Sequence, residues 1–396
     1  MNLISISWKS LQFNRLTFFL NVLLVAFGTG ILTLLLLVST QAGEKLKGNA
    51  NGIDLVVGAK GSPLQLILSS IYFIDFPTGN ISLTDAQNLA RNPMVKRAVP
   101  LALGDNYAGF RIVGTDTSYV NLYRLKLSKG RFWKNDFEVV IGSEVARIKK
   151  LKIGDRINGS HGLSSDEDVH EENQNTITGI LKPTGNTTDN LVLTSIESIW
   201  KMHGIEEDHE EPKHQSKKEI TSLLIQYRSR MSIVLFPLMV NKSTSMQAAS
   251  PAKESARLFS LIGVGVETAK WFAIIVMLIS AISIFVTLYN SLKEQMYDLA
   301  IMRVMGASQL KVFMIIILEG IILTVIGSVI GVFSGHVCLH MIGYFQDSPQ
   351  ARLNGFYFMP EELYLAAGGF SIGILAAILP AFQAYRVDIS QTISRG

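Results

Sequence analysis

The side chains most capable of chemistry crowd two acidic, histidine-bearing stretches. His161, Asp166, Asp168, His170, Glu171 and Glu172 lie in residues Gly159–Asn175; His203, Glu206, Glu207, Asp208, His209, Glu210, Glu211 and His214 lie in or beside Gly204–Glu219. Imidazole and carboxylate are zinc ligands, and local His-rich tracts read as metal binding. His161, His170, His203, His209 and His214 are therefore candidate zinc ligands. Against that, no HxxxH pair on a rigid helix is evident, and Lys213, Lys217 and Lys218 dilute the acidity. Both stretches are poor in large apolar residues, so each is expected first as a solvent-facing surface loop. No GxxxxGK[ST], GxSxG or HExxH phrase occurs, and Gly263-Val264-Gly265 lacks the lysine a phosphate loop needs. The chain is expected not to be an enzyme and not to hydrolyse ATP itself.

Two further places could do physical work. Glu319 stands in an otherwise apolar run, and an intramembrane acid is costly unless it faces a bundle interior or water. A structural role near Lys311 is expected, with a proton or substrate role as the alternative. The second place is Trp271–Ala307, which begins as a charge-free run and continues as the amphipathic Lys293–Met305, where Lys293, Glu294, Asp298 and Arg303 are set among Met296, Leu299, Ile301, Met302 and Val304. Gly306 sits where a left-handed residue would stop that helix. Ser308 is placed to cap the next one through its hydroxyl.

Apolar elements must position these groups. Hydrophobic residues make up 48% of the chain and charged ones 17%, with the charges crowded into the middle. Four spans of membrane-crossing length follow: Leu16–Val38, Trp271–Leu292, about 312–339 and Leu363–Tyr385. The first is far longer than the 7–15-residue core of a cleaved signal, so an uncleaved anchor is expected. Lys9, Arg15, Lys293, Arg303, Lys311, Arg386 and Arg395 flank the spans on one side. Positive residues mark the cytoplasmic face, which places both termini and the amphipathic segment inside and Gly43–Val264 outside. The net charge of +4 comes without any basic, aromatic-interleaved cluster, so no nucleic-acid partner is expected. The single cysteine, Cys338, excludes an internal disulfide and is expected as a buried, inert thiol.

The outer stretch reads as mixed α and β. Ile53–Val57, Phe110–Val113, Glu138–Ile141, Thr176–Leu181 and Asn190–Thr194 are expected strands, and Ser82–Arg91, Glu144–Lys150 and Ser195–His203 expected helices. Ser232–Val240 is expected as a final strand. Leu35–Lys47 and Ala252–Val264 continue the first two spans as helical stalks. Ala26 and Gly30, then Gly327, Gly331 and Gly335, then Gly369, Gly373 and Ala377 recur four residues apart. Such faces permit close helix approach and point to a packed bundle rather than an aqueous pore.

The order of several phrases resembles the FtsX/MacB family of ABC-transporter permeases. Asp298-Leu299-Ala300-Ile301-Met302-Arg303-Val304-Met305-Gly306-Ala307 matches the phrase this family carries after its second span, with Asp298 where Glu is usual. Pro380-Ala381-Phe382-Gln383-Ala384 with Asp388 matches the one after the fourth. Ile112-Val113-Gly114-Thr115-Asp116, Gly130-Arg131, Val140-Ile141-Gly142, Gly154-Asp155 and Ile177-Thr178-Gly179-Ile180-Leu181 follow in the outer region.

The resemblance implies a fold of four transmembrane helices with a large α+β extracytoplasmic domain inserted between helices 1 and 2. Its parts are a cytoplasmic segment (1–15), a first helix and stalk (16–42), the outer domain (43–252), a stalk and second helix (253–292) and a coupling helix (293–308). A third helix (309–340), an outer loop (341–362), a fourth helix (363–385) and a cytoplasmic tail (386–396) complete it. It implies a permease subunit that passes ATP-driven change to the outer domain, for export or extraction of substrate at the outer face. Glu294, Asp298, Met302, Arg303, Gly306 and Ala307 would meet the ATPase, while Glu319, Gly327, Gly331, Gly369, Gly373 and Pro380 would be structural. Partners implied are a cytoplasmic ABC ATPase dimer holding the ATP and Mg2+, a second permease copy, membrane lipid, and a periplasmic adaptor or substrate-binding protein. The implied location is a bacterial inner membrane. A mechanotransmitting regulator without transport, a metal-related efflux variant and an anchored binding module without an ATPase remain alternatives.

Overall fold

The computed structural model describes residues 3–50, 52–161, 169–203, 218–345 and 352–386. The chain begins with helices α1 (Leu3–Phe13) and α2 (Arg15–Asn49), then passes through β1 (Leu55–Ala59), α3 (Pro63–Ser70), β2 (Ile81–Ser82), α4 (Leu83–Ala90), β3 (Val95–Tyr107) and β4 (Phe110–Thr115). Next come α5 (Thr117–Leu122), β5 (Leu127–Gly130), β6 (Glu138–Ile141), α6 (Ser143–Lys149), β7 (Arg156–His161), β8 (Val169–Leu181), β9 (Leu191–Ser195) and α7 (Ile196–Met202). β10 (Glu219–Ile220), β11 (Ser222–Tyr227), α8 (Ser232–Ser243) and β12 (Met246–Ala249) precede α9 (Pro251–Glu294), α10 (Met296–Val304), α11 (Gln309–Tyr344) and α12 (Glu362–Tyr385). Two compact units result, one of Met1–Gln41, Ile262–Tyr344 and Leu353–Gly396, the other of Ala42–Leu261 and Phe345–Arg352.

The second unit is built on a mixed sheet in the order β12-β1-β11-β3-β4-β9-β6-β8-β5, with β7 pairing β3 and β8. β4 runs parallel to β9 and β6 to β8; the other ladders are antiparallel. Successive strand residues face opposite sides, and here both sides are apolar. Leu55, Val57, Ile112, Ile141, Val192 and Ile225 enter one core, and Val56, Val113, Val140, Leu191, Leu193 and Leu224 the other. Those near-continuous β-branched runs are what a sheet covered on both faces requires.

Two expectations fail here. Ser232–Val240 is not a strand but the body of α8, in which Phe236 and Val240, four apart, are buried while Met231, Ile233, Val234, Leu235 and Leu238 are exposed. A continuous apolar run hides its own period, so strand and helix look alike in it. Gly159–Asn175 is not simply a loop either. β7 and β8 carry an antiparallel hairpin into it, with Asn158 opposite Gln174 and Ser160 opposite Val169. Ladder bonds are made by backbone, so polar side chains do not prevent them. The N-terminal segment, expected only as a cytoplasmic stretch before the first span, forms the helix α1.

Gly130 and Arg131 explain one of the family-like phrases. Gly130 has φ +80°, and a Cβ there would collide with the Thr178 carbonyl. That tight turn aims the Arg131 guanidinium at Glu138, with Nη1–Oε2 and Nη2–Oε1 both 2.6 Å. Backbone amides of Lys134 (2.8 Å) and Asn135 (3.3 Å) also donate to Glu138. The bidentate arginine, reinforced by these amides, holds the Glu138 carboxyl well below the usual carboxylate range. A lowered folded-state pKa stabilises above the unfolded value and is lost as pH falls toward the folded one. Resistance of the full-length protein to thermal unfolding should therefore fall steadily below about pH 4, and Glu138→Gln should remove that part of the slope. Arg131 is 47% exposed, so solvent screening keeps the effect small. An unchanged acid slope in Glu138→Gln would assign acid sensitivity elsewhere.

Candidate functional site: a helix corner on a glycine-packed bundle

Among the described residues, four helices are long and apolar enough to cross a membrane: the Arg15–Lys45 part of α2, then α9, α11 and α12. Their contacts in the first unit run along the small-residue faces. A Cβ on Gly327 would lie 2.6 Å from the Val25 Cβ, and one on Gly331 2.6 Å from the Ala26 carbonyl oxygen, so α11 meets α2 almost backbone to backbone. On another side of α11, a Cβ on Gly369 would strike Ser328 and one on Gly373 would strike Thr324 and come 2.7 Å from the Gly320 carbonyl. Pro380 lies buried inside α12. Cys338, expected buried, is exposed instead. A span in a bundle has an outward face that is as apolar as its core, and composition alone cannot separate the two.

Where the long helix α9 ends, the chain makes a corner. The helix expected to run unbroken from Trp271 to Met305 stops at Glu294; Gln295 (φ −95°, ψ 7°) breaks it, and α10 begins at Met296. The Gln295 side chain stitches the break, with Nε2 donating to Ser10 Oγ (2.7 Å) and Ser291 Oγ (2.8 Å). α1 thus touches the corner, and it also rests on α11 through Ser7 Oγ and the Ile315 carbonyl (3.0 Å). Nothing in the sequence pattern pointed to α1 as a participant; its Ser7-Ser10 spacing, two polar residues three apart among Trp8 and Leu11, was the available signal.

The stop after α10 is as expected in backbone and different in its cap. Gly306 has φ +98°, a conformation that glycine takes without steric cost. The Ala307 amide reaches the Met302 carbonyl (3.0 Å) and the Gly306 amide reaches that of Arg303 (3.0 Å), the paired 6→1 and 5→2 bonds of a Schellman stop. Ser308 serves α11 with its carbonyl rather than its hydroxyl, accepting from Lys311 (3.0 Å) and Val312 (3.4 Å).

The predicted contact residues do not share one surface. Leu299 and Ala300 are buried, and Leu299 and the half-buried Met302 pack on the bundle core. Arg303 is half-buried, while Asp298 is exposed. Glu294 closes α9 and accepts from Asn14 Nδ2 (3.3 Å). The outward face is instead Tyr297, Ile301, Val304 (64% exposed) and Met305 (72%), spaced 297, 301, 304, 305. Reading for charge missed this apolar stripe; its i, i+4, i+7, i+8 spacing was the signal. Of the zinc candidates, His203 lies with Nε2 3.5 Å from Asp105 Oδ1. The side chains of His161 and His170, and all of His209 and His214, lie outside the described residues.

Residues 18–249, more than half of the chain, match the family model of the MacB-like periplasmic core domain. The chain belongs to the FtsX/MacB family of ABC-transporter permeases. Residues 271–389 of this FtsX/MacB permease match the FtsX-like permease C-terminal model, which takes in the corner and the last three spans. The extracellular domain of the noncanonic ABC-type transporter YknZ from Gram-positive bacteria is 14% identical, over 50% of this chain and 99% of that one, at a TM-score of 0.32. The periplasmic region of MacB from Actinobacillus actinomycetemcomitans is 12% identical, over 54% and 96%, at 0.34. No curated protein matches the chain. The FtsX/MacB permease is accordingly a multi-pass membrane protein with a large extracellular α+β domain, a non-catalytic membrane subunit of a kind that works with an ABC ATPase.

Proposed function

We propose that this permease converts ATP-driven closure of a separate cytoplasmic ATPase dimer into a change of its outer domain, for export or extraction of substrate at the outer face of the membrane. The observation that carries the reading is the corner itself. A nine-residue helix, α10, is fixed at one end by the Gln295 break and at the other by the Gly306 stop, and it turns Tyr297, Ile301, Val304 and Met305 outward. An exposed apolar stripe on so short a helix fits a hydrophobic groove on a partner. The basic residues of this end, Lys293, Arg303 and Lys311, support a cytoplasmic position, with both termini on the same side of a bacterial inner membrane. ATP and Mg2+ belong to the partner. A second permease copy would complete the transporter, and a periplasmic adaptor or substrate-binding protein could join it outside.

The expected outcome is specific to the stripe. Val304→Asp should cut permease-stimulated ATP hydrolysis about tenfold, because a charge at the centre of an apolar contact is left desolvated. Arg303→Ala should lower it by a smaller factor, and expression should be unchanged in both. Full stimulation by Val304→Asp in reconstituted permease and ATPase would remove α10 as the contact.

A further inference from the structure

The corner end of the first unit encloses a cavity of about 480 Å³ between α1, α2, α9 and α11. Hydroxyls of Ser10, Thr17, Ser283 and Thr287 line it together with the carboxylates of Glu294 and Glu319. Among the described residues, no lysine, arginine or histidine lines it; the neighbouring Lys293 places its Nζ 4.6 Å from the centroid of the Tyr289 ring. Glu294 is exposed and already accepts from Asn14. Glu319 is different: it is 1% exposed, and the Ser10 hydroxyl beside it is neutral, so a negative charge there meets no opposite charge. A carboxylate taken out of water without a partner is expensive, and within a span that cost has to be met by a bound charge or a proton.

The lining selects between those. A protonated acid needs one acceptor, whereas this wall gathers several neutral oxygens around the buried Glu319, with Glu294 at the solvent-exposed rim. Oxygen donors suit hard cations, and the one buried charge suits a monovalent ion, Glu294 being open to water. The space is many times the roughly 30 Å³ share of a water molecule, so an ion would sit there with part of its hydration shell. We propose that this cavity is a binding site for an alkali cation, Na+ or K+, with Glu319 as its charged ligand and the Ser and Thr hydroxyls as neutral ligands. The inference stands apart from the coupling role of α10, since it requires no ATPase.

The test uses the full-length permease in nanodiscs, with thermal unfolding followed as NaCl or KCl replaces N-methylglucamine chloride at constant pH and ionic strength. A ligand that binds only the folded state raises the transition temperature with the logarithm of its concentration once that passes Kd, here by about 4 °C across the titration. Glu319→Gln, nearly isosteric and neutral, should fold and lose the cation response. Ser283→Ala should need several-fold more cation to reach the same rise. Three results would overturn the site: an equal alkali response in Glu319→Gln; no response in the wild type together with a more stable Glu319→Gln, the mark of a carboxyl that is simply protonated; or a rise with millimolar MgCl2 and none with alkali chloride.

Discussion

Gly331→Leu should abolish recovery of folded permease, while Gly368→Leu, on a span of similar composition, should leave it intact. A Cβ on Gly331 would lie 2.6 Å from the Ala26 carbonyl oxygen, 2.7 Å from the Thr29 Cβ and 3.1 Å from the Ala26 Cα. Two of those three atoms are backbone of α2, so no rotamer change relieves the clash. The helices must part, and parting also loosens the contacts that flank it, where a Cβ on Gly327 would come 3.1 Å from the Val22 carbonyl and one on Gly335 3.0 Å from that of Gly30. Helices in a bilayer associate through packing rather than through the hydrophobic effect, so nothing compensates the lost contact. Overpacking of a tight core costs about 1–3 kcal/mol for small intrusions; a whole leucine side chain against backbone should exceed about 4 kcal/mol. On α12, a Cβ at Gly368 meets nothing within 4 Å, whereas one on the adjacent Gly369 strikes Ser328. Neighbouring glycines therefore predict opposite outcomes. Detergent-extracted yield and unfolding temperature read both, and wild-type values for Gly331→Leu would mean that α2 and α11 do not pack through this face.

The glycine faces were legible in the sequence because a four-residue spacing of small residues has little other use in a charge-free run. So were the four spans and the glycine stop at 306, each a local feature of composition or backbone. What was not legible depends on which way a helix face points. α8 reads as a strand because its apolar residues are continuous, and only the sheet beneath it selects Phe236 and Val240 as the inner pair. In α10 the charges drew the eye to Arg303, yet packing turns Met302 inward and leaves Val304 and Met305 outside. The cavity around Glu319 was beyond reach for a plainer reason. Its walls come from Ser10, Thr17, Ser283 and Glu294, residues remote from Glu319 in sequence, and only the fold brings them together. Glu319 itself was expected in a structural role near Lys311; it lies buried in α11 instead, beside a space that no lysine among the described residues lines.

The same holds at the other end of the bundle, where the second large effect is expected. Glu362→Ala should lower the unfolding temperature of the full-length permease by about 5–10 °C, and Glu362→Gln should be tolerated. His336, on α11, directs Nδ1 at the Gly355 carbonyl (2.8 Å) and Nε2 at Glu362 Oε2 (3.0 Å). A carbonyl only accepts, so Nδ1 carries a proton, and the Nε2–Oε2 bond holds a second one between imidazole and carboxyl. Glu362 Oε1 accepts in turn from the Met359 amide (3.0 Å). Both side chains are nearly enclosed, at 6% and 8% exposure. Through them residues 355–359 are tied to α11 and α12, while the adjacent Asn354 is tied to Gln41 of α2 by bonds of 2.9 and 2.8 Å. Alanine at 362 strands the imidazole Nε2 and the Met359 amide together, and breaking a buried pair from one side costs about 3–5 kcal/mol. Glutamine keeps an oxygen for Met359 and offers an N–H to Nε2 of a neutral His336, so every group remains bonded. Equal losses from alanine and glutamine would show that the charge, rather than the hydrogen-bond pattern, holds residues 355–359 in place.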